Sequence, residues 1–321
     1  MSDDASQAHH LTSVQVAGLP RTHVHGVAPD ANRRYLYVAL ALIVGFMAGE
    51  VIVAFAAGSL ALVADAAHML TDAAAIGAAI WATHLSARAP TQRWTFGLKR
   101  AEILSAAANG VSLLVIAALV SFEAIRRLIS PPEVHGVALL VVAGVGVVVN
   151  IAATWVLAKA NRKSLNIEGA FQHILTDLYA FVGTTIAGVV ILTVGFRRAD
   201  PIASLFVVGL MLRAAWQLLR ASGHVLLEGT PESVDLEEVR RHVLEVPEVV
   251  SVHDLHAWLL TSDLPVISAH VVVIDGCVVA GTMGKVLDHL QDCLAGHFDV
   301  EHSTFQLEAQ THREHERTAH H

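Results

Sequence analysis

The 321-residue sequence predicts an α-helical polytopic membrane protein, six transmembrane helices followed by a small cytosolic α+β domain. Three observations predict it. Hydrophobic residues make up 54% of the chain and charged ones 16%, with mean hydropathy +0.54, the balance of a chain largely immersed in lipid. Charge is unevenly spread: residues 1–220 carry 16 Lys and Arg against 12 Asp and Glu, whereas residues 221–321 carry 5 against 17. After Leu227 the long apolar runs give way to short amphipathic segments.

The elements follow in order. The first 30 residues are polar, contain His9, His10, His23 and His25, and hold no apolar core of signal-peptide length. Residues 1–32 therefore read as a disordered cytosolic N-terminus. A bilayer core of about 30 Å needs about 20 mostly apolar residues per helix. Six windows qualify: Tyr35–Phe55, Leu60–Leu85, Ala101–Leu128, Val137–Ala160, Ala170–Phe196 and Pro201–Leu219. Together they define a transmembrane domain over 33–222. The short Ala56-Ala57-Gly58-Ser59 turn makes the first two a hairpin, Pro131-Pro132 separates the third from the fourth, and Asp200-Pro201 opens the sixth. With the N-terminus inside, Arg33, Arg34, Arg88, Arg93, Lys99, Arg100, Lys159, Arg162, Lys163 and Arg220 face the cytosol. Only Arg126, Arg127, Arg197 and Arg198 then lie outside, so both termini are expected to be cytosolic.

In the acidic part, Val234–Leu244 reads as a helix, Val249–Leu259 and Val266–Ile274 as strands, Thr282–Leu294 as a helix and Ser303–Glu308 as a strand. This is a cytosolic αββαβ module over 223–309, followed by a disordered tail at 310–321. Its acidity suits cations and disfavours nucleic acid. Cys277 and Cys293 form no CxxC pair, which excludes a cysteine-built zinc site or a disulfide framework. No Walker A motif provides a phosphate cradle for ATP-driven pumping, and His312-Arg313-Glu314-His315 lacks zinc-protease spacing.

Two motifs carry chemistry. His68 and Asp72 lie four residues apart in the second span, and His173 and Asp177 repeat that spacing in the fifth. An i, i+4 pair stacks on one helix face. Facing helices would bring two imidazoles and two carboxylates to one point, a tetrahedral N₂O₂ set that suits Zn²⁺. A mid-membrane Asp costs roughly 2.5–3.5 kcal/mol, which a bound dication or a transferable proton would offset. Asp65 lies on nearly the same face, either as a partner orienting His68 or in a water-filled mouth. His84 reads as interfacial. Glu50, Asn109, Asn150 and Glu168 read as interhelical hydrogen-bonding groups or as the lining of a hydrated path. In the tail domain, His253, His270 and His302 sit on neighbouring strands, either as surface residues or as a zinc site. Regular alternation would place His253 and Trp258 on opposite faces. His256, His289 and His297 read as surface residues, and the terminal histidines (His9, His10, His23, His25, His312, His315, His320 and His321) either as loose metal capture or as groups for solubility and weak buffering.

These residues resemble the cation diffusion facilitator family, in its zinc-exporting subgroup. The resemblance rests on Asp65-Ala66-Ala67-His68-Met69-Leu70-Thr71-Asp72, on His173-Ile174-Leu175-Thr176-Asp177, and on Phe96-Gly97-Leu98-Lys99-Arg100-Ala101-Glu102. Val252–Trp258 and His302–Glu308 extend it through the tail, so it spans roughly residues 33 to 308. It implies a homodimeric, proton-coupled exporter of divalent metal in a bacterial cytoplasmic (inner) membrane, with a metallochaperone-like cytosolic domain and no enzymatic activity. It also implies that His68, Asp72, His173 and Asp177 hold the transported ion, that His rather than Asp at positions 68 and 173 favours zinc, and that His253, His270 and His302 match tail ligands of some relatives. The histidine-rich loop of many relatives is reduced here to Ala160-Asn161-Arg162-Lys163. Arg93, Trp94 and Leu98 stand where some carry loop ligands, and no His lies near Met283. The expected function is proton-coupled Zn²⁺ export by alternating access, with Zn²⁺ as substrate and possible regulatory ligand. The alternatives are a non-transporting metal sensor or buffer, or an exporter whose main substrate is Cd²⁺ or Co²⁺.

Overall fold

The computed structural model describes residues 29–57, 60–130, 136–297 and 302–312; the side chains of Asp65 and His68 lie outside the described set. So do the N-terminal histidines, the Gly58-Ser59 and Pro131-Pro132 links and the last residues of the tail. Six long helices come first: α1 (Pro29–Ala57), α2 (Leu60–Ser86), α3 (Ala101–Ile129), α4 (Gly136–Leu157), α5 (Leu165–Val194) and α6 (Ala199–Leu226). Among the described residues, four stretches are long and apolar enough to cross a membrane: Arg33–Ile52, Ala101–Ile129, Leu165–Val194 and Ala199–Leu226.

Helix α5 begins five residues before the hydropathy window that marks it. Its first turn is polar, with Asn166 and Glu168, and it is started by Ser164, whose Oγ accepts from Ile167 N. Gly195, at φ 73°, ends it in the left-handed conformation. Helix α6 likewise runs past Leu219 to Leu226, on the side where the tail domain joins.

The helices pack in two groups. Leu36, Ile43, Met69, Ile76, Leu157, Ile167 and Ile174 form a core among α1, α2, α4 and α5. Leu113, Ala117, Val207, Met211 and Ala215 close α3 against α6. Meanwhile Phe122, Ile129, Phe206 and Trp216 are 67–76% exposed on the outer faces. An apolar exterior around a packed interior is the arrangement that a lipid solvent selects.

The C-terminal domain contains α7 (Leu236–Leu244), β1 (Val249–Thr261), β2 (Leu264–Val273), a short α8 (Asp275–Ala280), α9 (Met283–His297) and β3 (His302–Ala309). The sheet order is β1-β2-β3, with β1 antiparallel and β3 parallel to β2. Val239, Val243, Ile267, Val271, Val286 and Leu290 fill the layer between sheet and helices.

Strand β1 is not regular. His253 pairs with His270, but the next pairing is His256 with Ser268, so Asp254 and Leu255 together oppose Ala269. Asp254 takes φ 47° to accommodate this bulge. The extra residue reverses side-chain parity, and His253 and Trp258, opposite His270 and Val266, share one face. This corrects the expectation from regular alternation.

The two domains meet at the start of α3. Gly97, at φ 72°, turns the chain where a Cβ would lie 3.0 Å from the Arg88 carbonyl oxygen, so only glycine fits. The turn delivers Arg100 to Glu228, just beyond α6, with Nη2 2.9 Å from Oε1.

Candidate metal centres

Within the helical domain, α2 and α5 bring Asp72, His173 and Asp177 together. All three side chains are buried, with exposures of 0%, 2% and 7%. One ligand atom from each lies within 4.8 Å of the others. His173 Nε2 donates to Asp72 Oδ1 at 2.7 Å and stands 4.0 Å from Asp177 Oδ2. Zinc–ligand bonds of about 2.0–2.2 Å set neighbouring ligand atoms roughly 3–4 Å apart, so the set closes on a small dication with little movement. Asp72 Oδ2 and His173 Nδ1 are buried with no hydrogen-bond partner among the described residues. Nε2 thus faces the Asp72 carboxylate in the direction a cation would take. His68 lies one turn before Asp72 on α2, and its side chain is outside the description.

Register between the two helices is set by a residue that the sequence reading passed over. Asn166, 2% exposed in the first turn of α5, donates from Nδ2 to Ala79 O at 2.8 Å and to Thr83 Oγ1 at 3.1 Å. Both acceptors belong to α2, two to three turns from Asp72. This clamp fixes how far along α2 the His173–Asp177 face of α5 lies.

Beside Asp177 a small cleft of about 70 Å³ runs between α3, α5 and α6. Thr176, Thr184 and Ser204 supply its polar lining, with Ile116, Val207 and Met211 among its apolar walls. Thr184 and Ser204 place it toward the end of the bundle away from the C-terminal domain.

The other polar residues divide by role. Asn150 donates from Nδ2 to Gly146 O within its own helix (3.0 Å). Glu168 pairs with Arg162, Oε2 to Nε 2.8 Å, and accepts from Gln172. Glu50 is buried in α1. Gly169 lies against the Asn109 side chain, with Nδ2 3.1 Å from where a Cβ would stand. His84 Nδ1 lies 3.0 Å from Ile80 O, and the ring stands edge-on to Tyr37.

The tail domain presents a second cluster, and its membership differs from the expected one. His253 and His270 stand side by side on β1 and β2, ring centroids 5.2 Å apart. The third member is Glu308 near the end of β3, not His302. Glu308 Oε1 accepts from His270 Nδ1 at 2.8 Å, and Oε2 lies 3.6 Å from His253 Nε2. His253 and Glu308 are 2% and 3% exposed. Parallel register sets Gln306 opposite His270 and His302 opposite Val266, leaving His302 exposed about 20 Å along the strand from Glu308. A buried carboxylate between two imidazoles is an N₂O donor set for a divalent cation. Away from this cluster, on α9, burial pushes the Cys293 thiol up and Glu245 adds to the effect.

The chain matches the cation efflux transmembrane domain over residues 36–227 and the cytoplasmic domain of cation efflux proteins over residues 231–310. It is 42% identical over 283 residues to the zinc transporter ZitB of Escherichia coli (strain K12), covering 88% of this chain and 89% of that protein. It is 38% identical over 291 residues to the metal cation efflux system protein CzcD of Cupriavidus metallidurans, covering 91% and 90%. A cadmium, cobalt and zinc/H(+)-K(+) antiporter of Bacillus subtilis (strain 168) is 35% identical over 290 residues, covering 90% and 93%.

Proposed function

We propose a zinc-exporting role for this chain, which belongs to the cation efflux family. It is a multi-pass membrane transporter of metal cations, not an enzyme. The observation that carries the finer reading is the buried meeting of Asp72, His173 and Asp177 inside the helical bundle. The i, i+4 sequence spacing to Asp72 makes His68 the fourth candidate ligand.

The chemistry favours exchange of metal for protons. Zinc needs a lone pair on the imidazole nitrogen and ionised carboxylates, so the proton between His173 Nε2 and Asp72 must leave that position, to water or to Nδ1, before the ion binds. Protons arriving from the other side reverse the step. Zinc enters from the cytosol, the helices rock, and the ion leaves along the cleft that reaches from Asp177 toward Thr184 and Ser204. The site must bind less tightly than a structural zinc centre, where binding is worth about 10–16 kcal/mol, so that the ion can leave. The chain works as a homodimer in a bacterial inner membrane, both termini cytosolic, and zinc on the tail cluster draws the two cytosolic domains together.

A second reading keeps the mechanism and changes the cargo. Relatives named for cadmium and cobalt share most of this chain's length, and N/O sites separate Zn²⁺, Cd²⁺ and Co²⁺ poorly. Uptake into inverted vesicles across a metal panel tests both readings: zinc flux that exceeds cadmium and cobalt supports the first, and the reverse order the second.

A further inference from the structure

We propose that Ser262, at the tip of the β1–β2 hairpin, and Glu102, in the first turn of α3, are positioning residues that hold the start of α5 and thereby aim its metal ligands. The inference rests on the export reading and goes beyond it, because it assigns the cytosolic domain a direct hold on the helix that carries His173 and Asp177.

The start of every helix leaves backbone N–H groups without helical partners. In α5 two of these are met by side chains from two sources. Ser164 Oγ accepts from Ile167 N at 3.4 Å, a local cap. Leu165 N donates to Ser262 Oγ at 3.0 Å, a cap supplied by a different domain 97 residues away. Both hydroxyls then donate to the same atom, Glu102 Oε1: Ser164 directly, and Ser262 at 3.4 Å. Each serine thus accepts from α5 and donates to α3, and one carboxylate closes the arrangement. The Glu102 carboxyl group thereby lies at the N-terminal end of α5, where the helix dipole favours negative charge. Thr261 Oγ1 donates to Asp263 Oδ1 at 2.8 Å, bridging the hairpin tip around Ser262.

The consequence follows from helix geometry. At 1.5 Å per residue, His173 lies about 12 Å and Asp177 about 18 Å up α5 from Leu165. Asn166, next to Leu165, clamps the same turn to α2. A tilt or slide of that turn therefore moves His173 and Asp177 relative to Asp72, and metal sites need their ligands held to about 0.5 Å.

The test uses the full-length protein in proteoliposomes, with Ser262→Ala, Glu102→Gln and Ser262→Thr, which keeps the hydroxyl. The expected result is a zinc KM raised about fivefold in Ser262→Ala and Glu102→Gln, the worth of one net hydrogen bond, with Vmax and thermal midpoint near wild type. Hydrogen exchange at the Leu165 amide accelerates in Ser262→Ala while amides in β1 and β2 do not change, and Ser262→Thr restores both readouts. Wild-type KM and Leu165 exchange in Ser262→Ala overturn the proposal. So does a lowered thermal midpoint with unchanged KM, the mark of a merely structural residue. Failure of the export reading itself shows as absent flux in the wild-type protein. Zinc affinity in the Asp72–His173–Asp177 site, weakened in Ser262→Ala and restored in Ser262→Thr, still decides the positioning role in that event.

Discussion

His173 on α5 donates from Nε2 to Asp72 on α2 across 2.7 Å, with both side chains sealed from the surface. One proton therefore holds together two groups that a cation would otherwise bridge. Proton and metal compete for a single position, and the sign of the pH dependence follows. Lower pH protonates the imidazole and the carboxylates and weakens zinc binding; higher pH strengthens it, up to about tenfold per pH unit for each proton displaced. Zinc titrations of the detergent-solubilised protein between acid and neutral pH check this, and an affinity independent of pH contradicts it.

Asn166→Ala removes the clamp between the start of α5 and α2. The loss of its two hydrogen bonds costs about 1–3 kcal/mol, because the amide is buried and its acceptors lie on another helix. Thermal unfolding in detergent is expected to shift down and zinc affinity to fall together. Asn166→Asp keeps the shape but loses the donor, and should behave like the alanine variant.

In the tail domain, Glu308→Gln and His253→Ala are expected to abolish zinc bound outside the bundle, whereas His302→Ala leaves it intact. Equilibrium dialysis on full-length protein carrying Asp72→Asn and Asp177→Asn isolates the tail contribution. Retention of tail zinc in Glu308→Gln would remove that carboxylate from the cluster.

Gly97→Ala should destabilise the junction by about 1–3 kcal/mol, since it forces a side chain into left-handed backbone and against the Arg88 carbonyl oxygen. The measurement is the thermal midpoint, with Leu98→Ala as the neighbouring control expected to change it less.

Much of this was legible because it is local. The i, i+4 spacing of His173 and Asp177 needs only helical periodicity to share a face, and the apolar windows need only the thickness of a bilayer. The five missing residues of α5 are hidden from hydropathy because its first turn is polar and turned toward neighbours, not lipid. The tail cluster depended on two features no local pattern encodes. The Asp254 bulge reverses side-chain parity in β1, and the parallel register of β3 on β2 decides that Glu308, and not His302, reaches His270. The contact of Ser262 with Leu165 is beyond sequence periodicity for the same reason. The Phe96–Glu102 stretch was recognisable as a motif, but its physical work appeared only with the fold: Gly97 turns the chain, Arg100 pairs with Glu228, and Glu102 receives two serines.

The most direct test of the central claim is zinc flux into proteoliposomes under an imposed pH gradient, comparing the wild-type protein with Asp177→Ala and His68→Ala. Zinc should move against the proton flow in the wild-type protein, with zinc entry and proton exit rising together, and both variants should fall to the level of protein-free vesicles while remaining folded. Zinc-for-proton exchange that survives in either variant would contradict the assignment of the transport site to these residues.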